Sequence, residues 1–129
     1  MKKIEINGNS FSNLSEFYDE VERKFTKGLT WKIGRNLNAF NDVLRGGFGL
    51  HNYEEQIELC WSNSEKSKLD LGINETIEDL EQVLQNCHPT NREDVKKELE
   101  LAKNGKGEML FELIVEIIKE HEHIKFEMK

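Results

Sequence analysis

Three short strand-like segments, "KKIEING" (Lys2–Gly8), "QIELCW" (Gln56–Trp61) and "HIKFEMK" (His123–Lys129), are separated by long stretches patterned for helix. This spacing constrains the fold more than any other feature. Strands joined by helices are set up to pair in parallel through right-handed crossovers, because antiparallel neighbours are normally joined by tight turns. The expectation is an α/β protein with a small three-stranded parallel sheet packed by helices. A chain of 129 residues has room for a single domain, 1–129, and one core.

The strands differ in character. The first is closed by Asn7-Gly8, a turn dipeptide. The second carries so few polar atoms that burial on both faces is expected. In the third, Ile124, Phe126 and Met128 alternate with charged residues, which predicts one wetter face.

Helical periodicity fills the gaps. In "NLSEFYDEVERKF", Asn13 is placed to cap, Glu16 follows three residues later, and Leu14, Phe17, Val21 and Phe25 share a face, with Gly28 as the stop. In "WKIGRNLNAFNDVLRGGFG", Asn36 caps a second helix with Leu37, Phe40 and Leu44 inward, and Gly46-Gly47 ends it. Its other side gathers Asn38, Asn41, Asp42 and Arg45 into a polar ridge.

Two more helices are expected on either side of Pro89, the only proline. "NETIEDLEQVLQNC" places Ile77, Leu80 and Leu84 together. "TNREDVKKELELAKNG" has Thr90 and Glu93 at capping-box spacing and Val95, Leu99 and Ala102 inward. The last helix, about Glu108 to Glu120, is apolar around much of its circumference through Leu110, Leu113, Ile114, Ile117 and Ile118, so it should be the most buried.

Charge narrows the partners. Eighteen Lys and Arg against 25 Asp and Glu give a formal charge of −7, which argues against direct nucleic-acid binding, since that draws on clustered cations. A basic protein partner is the easier match. No apolar run approaches the roughly 20 residues of a membrane span, and "MKKIEING" lacks a signal-peptide core, so a cytoplasmic chain is expected. Cys60 and Cys87 should then be unpaired thiols.

Catalytic and metal signals are weak. "HEH", His121 to His123, offers two imidazoles without a third ligand at a defined spacing, and "RGGFG" follows a helix without the Lys-Ser/Thr of a phosphate loop. No Ser, His and acid form a recognisable nucleophile motif. Neither enzyme, metal site nor cofactor is expected.

In "GRNLNAFNDVLRGG", residues Gly34, Asn36, Leu37, Ala39, Phe40, Asp42 and Leu44 follow the spacing Gly-x-Asn-Leu-Asp-Ala-Leu-x-Asp-x-Leu. Together with the opening "KKIEING" and the ending "LFELIVEIIKEHEHIKFEMK", this stretch resembles the barstar family of intracellular ribonuclease inhibitors. The likeness spans about residues 1–61 and 104–129, leaving about 72–103 as an inserted helical pair.

The resemblance implies an immunity protein or antitoxin, monomeric when free, whose second helix plugs a ribonuclease toxin's basic active site. Carried over residue by residue, Asp42 matches the principal acidic contact, Glu108 a second one and Trp31 an aromatic contact before the helix. Asn38 stands where the family usually has aspartate. Asn38 and Asn41 would offer neutral hydrogen bonds, and Gly46 would let the partner approach. Arg35 and Arg45, with Lys27 and Lys32, leave 27–50 with a local net of +3 against Asp42 alone. The acidic residues Glu75, Glu78, Asp79 and Glu81 could supply the missing negative field. The alternative on the same fold is a protein-binding or regulatory module that does not inhibit a nuclease.

Overall fold

A computed structural model describes residues 2–26, 36–47 and 51–129. Gly28, Trp31, Gly34 and Arg35 lie outside these residues, so their expected roles are not addressed by it. Three parallel strands form one sheet in the order β1 (Lys2–Asn7), β2 (Ile57–Ser62) and β3 (Ile124–Met128). Between β1 and β2 run α1 (Leu14–Phe25) and α2 (Leu37–Arg45). Between β2 and β3 run α3 (Ser64–Asp70), α4 (Ile73–Asn86), α5 (Arg92–Lys103) and α6 (Leu110–Lys119). The expected α/β class and parallel sheet are both present.

Register explains the layering. Ile4 sits beside Leu59 and Ile6 beside Trp61, while Ile57 sits beside Ile124. Since strand side chains alternate between faces, these six fall on one side, and all are buried. Neighbouring Lys3, Glu58 and Lys125 share one cross-strand row. Glu58 and Cys60 are half-buried and Lys125 is exposed. The expectation that β2 is buried on both faces is therefore corrected: Glu58, Cys60 and Ser62 give it one polar face, as the alternation dictates.

Aromatic rings fill the core between sheet and helices. Phe17 of α1 stacks on Trp61 at 5.6 Å and meets Phe40 of α2 edge-on at 5.4 Å, while Phe111 of α6 meets Trp61 at 5.2 Å. These contacts set the roll of α1, α2 and α6 on the sheet. On α6, Leu110, Ile114 and Ile118 are buried as expected and are joined by Phe111 and Val115, whereas Leu113 and Ile117 are only half-buried.

The short helix α3 has no counterpart in the sequence reading because it has no apolar stripe. Leu69 is 84% exposed, and the one buried residue is Ser67, whose Oγ accepts from Trp61 Nε1 at 2.9 Å. Lys66 Nζ donates to the Phe11 carbonyl at 2.8 Å and pairs with Asp70 at 2.6 Å. Polar contacts thus fasten α3 to the turn after β1. At that turn a Cβ on Gly8 would lie 2.6 Å from the Asn63 carbonyl and 2.7 Å from Ser67 Oγ, so only glycine fits.

Helices α4 and α5 form where periodicity places them, and Val95, Leu99 and Ala102 face inward as expected. Ile77, Leu80 and Leu84 are only half-buried. The expected capping box is not formed. Pro89–Asn91 make a turn in which the Thr90 hydroxyl meets His88 Nδ1 at 2.8 Å, and α5 starts at Arg92 with no side-chain cap. Two bonds anchor α4: Glu75 accepts from the Leu14 amide at 2.8 Å, and Thr76 Oγ1 accepts from the Leu110 amide at 3.0 Å. The last helix accordingly begins at Leu110, leaving Glu108 outside it.

Candidate partner-binding site

The α2 helix is built to show one side. Asn36 Oδ1 accepts from the Ala39 amide at 2.8 Å, satisfying a donor that the helix start leaves orphaned. Phe40, Val43 and Leu44 are buried. Gly46 stops the helix at φ 99°, where a Cβ would collide with the Asn52 carbonyl and the His51 ring. Buried there, Gly46 offers no open surface in the free chain.

Asn38, Asp42 and Arg45 are exposed and fall on one helical row, so the structure brings these three expected contacts together. No hydrogen bond or ion pair engages Asp42 among the described residues. Arg45 places a positive charge on the same row, three residues along.

Asn41 is different. It is half-buried, and its Oδ1 accepts from His121 Nε2 at 2.6 Å. A side chain expected on the open ridge is instead tied to the turn between α6 and β3. Two further imidazoles meet the end of α2: the Leu44 carbonyl accepts from His123 Nε2 at 2.8 Å and from His51 Nε2 at 3.2 Å. An open cleft beside them is lined by Asn41, Arg45, Glu54, His121 and Glu122.

Burial, helped by the neighbouring His123 and Arg45, holds the His121 pKa below the ordinary histidine value, while Glu120 and Glu54 pull the other way. The sequence does contain these histidines, but the contacts of His121 and His123 cross about 80 positions. No local spacing announces them. Among the described residues no group of three or more His, Cys, Asp or Glu is arranged to hold a metal.

Glu108 does not join this row. It is exposed, borders a groove with Asp79, Leu80, Glu98 and Leu101, and hydrogen-bonds Glu116, whose carboxyl is raised above its ordinary value chiefly by that bond. None of its described contacts reaches α2. Glu75, expected in an acidic field, spends its carboxylate on the start of α1.

No described helix is long and apolar enough to cross a membrane. Comparison with known proteins gives one family: the model described as "Barstar (barnase inhibitor)" matches residues 1–120. No curated protein and no solved structure matches the chain.

Proposed function

This chain belongs to the barstar family, and on that footing we propose that it is a cytoplasmic immunity protein whose α2 ridge occludes the active site of a ribonuclease toxin. The observation that carries the reading is the exposure of Asp42, which pairs with none of the described residues, on a helix whose opposite face is locked into the core. A site that binds RNA phosphates is lined by cations. A carboxylate presented on a rigid helix can take a phosphate's place there, and a charge-assisted hydrogen bond is stronger than a neutral one.

Asn38 and Arg45 set the register on either side of Asp42. Asn38 donates and accepts without charge, and Arg45 pairs with an acidic rim on the partner. Trp31 packs against the rim, Arg35 meets it electrostatically, and Gly46 keeps the helix end short enough to enter a concave site. Glu108 lies toward α4 and α5, so it serves a contact outside the plug. The free chain is a monomer.

The test is direct: the purified chain is titrated into the ribonuclease barnase and into any nuclease encoded beside it, with RNA cleavage as the readout. Stoichiometric loss of cleavage by one of them supports inhibition. Uninhibited cleavage by all of them rejects it.

One observation favours a second reading. Asn38 replaces the usual acid, and Arg45 adds a cation to the same row. A ridge with one net neutral surface fits a less basic partner, bound without inhibition. Under that reading Asp42 still matters for binding, but no ribonuclease is inhibited.

A further inference from the structure

Three of the four histidines meet at one place, the C-terminal half of α2. His51 reaches it from the segment after α2, and His121 and His123 reach it from the turn before β3. The His51 and His123 rings stack at 6.5 Å, and His121 and His123 meet edge-on at 5.4 Å. All three use Nε2 toward an α2 oxygen, Leu44 O or Asn41 Oδ1, so each ring donates from Nε2–H in its neutral form. His51 is 3% exposed, is covered by the Phe25 ring at 6.0 Å, and its Nδ1 is buried with no hydrogen-bond partner among the described residues.

We propose that His51, His121 and His123 form a proton-sensitive clasp on the C-terminal half of α2, which opens in mild acid and lets the helix's last turn unwind while the sheet stays folded. Adding protons to rings this close creates like-charge repulsion inside a partly dry site. Among the described residues, the charged groups that face the cluster are Arg45 from α2, Glu54 and Glu55 from the segment before β2, and Glu120 and Glu122 from the turn before β3. The carboxylates and the carbonyl end of α2 favour positive charge. Burial, Arg45 and the rings themselves oppose it.

For His121 the opposition wins, since its pKa is lowered from 6.5. The sign follows. An opened turn exposes the ring to water and binds the proton more readily, so the clasp is fully held above about pH 6.5 and is lost as pH falls through the lowered native value. Any link to partner release rests on the function proposed above. The clasp itself is tested on the free chain, so its failure and the failure of that reading are separate results.

The experiment is residue-resolved amide hydrogen exchange on the full chain at about pH 7.5 and about pH 5.5, on either side of the ordinary histidine pKa, corrected for intrinsic rates. The expected result is that protection over Phe40–Arg45 falls severalfold relative to β2, because the open turn takes up the proton more readily than the closed one. In His121→Gln/His123→Gln, where an N–H donor remains but no proton is taken up, the fall should be largely abolished. Unchanged α2 protection, parallel loss in the sheet, or an equal fall in the double variant would each overturn the clasp. Should that variant not fold, an NMR titration of the wild type decides: α2 amide shifts should move with the same midpoint as the His121 ring, and flat α2 shifts while the ring titrates overturn it.

Discussion

His121 Nε2 lies 2.6 Å from Asn41 Oδ1, joining the turn before β3 to the C-terminal half of α2. One of the asparagines on the polar ridge therefore holds the ridge in place. Asp42, its neighbour, remains exposed. Adjacent residues on one helix thus divide the work between positioning the surface and presenting it.

Asn41→Ala should lower stability by about 1 kcal/mol, the net value of a typical intramolecular hydrogen bond. Urea denaturation of the free chain measures it. Partner affinity should fall less than it does in Asp42→Ala.

Gly8→Ala should destabilise by about 1–3 kcal/mol, the usual cost of overpacking. The new methyl meets the carbonyls of Ser62 and Asn63 and the hydroxyl that Trp61 uses. A lower thermal midpoint with loss of native Trp fluorescence is the expected readout.

Thr76→Val keeps the shape but removes the hydroxyl that accepts from the Leu110 amide and donates to the Gly72 carbonyl at 2.7 Å. Leaving that buried amide unpaired should cost about 1–3 kcal/mol. Thr76→Ser, which retains the hydroxyl, should lose much less in the same denaturation experiment.

Asp79 has its carboxyl pKa raised above 3.8, first by burial and then by Glu75. A raised native pKa means that ionisation of Asp79 opposes folding at neutral pH. Asp79→Asn should therefore raise the urea midpoint at neutral pH. The gain should shrink as pH falls through the raised value and vanish below the ordinary one, where both states are protonated.

Hydrophobic period carries much of the fold in plain view. Phe17, Val21 and Phe25 on α1 and Ile114 and Ile118 on α6 are buried where spacing puts them. Parallel pairing follows from the helices between the strands. What is not legible is held by polar atoms or by distant partners. The α3 helix depends on Ser67 and Lys66 rather than on an apolar stripe. The Thr90 capping pattern yields to a turn in which His88 takes the hydroxyl. On the candidate site, the periodicity that buries Phe40 and Leu44 also places Asn38, Asp42 and Arg45 on the open side. The same reading assigned Asn41 to that side, because nothing near it in sequence reveals His121. The resemblance places Glu108 at the start of the last helix, yet its neighbours are Glu116 and the α4–α5 groove.

The most direct measurement is the Kd of wild type and Asp42→Ala for the ribonuclease that the wild type inhibits, by titration calorimetry, with the thermal midpoint of each free chain alongside. The account predicts an affinity loss of about 2 kcal/mol or more, the scale of an interface hot spot. The midpoints should coincide, because the exposed carboxylate makes no described contact. Equal affinities would contradict the central claim that Asp42 on α2 plugs the active site.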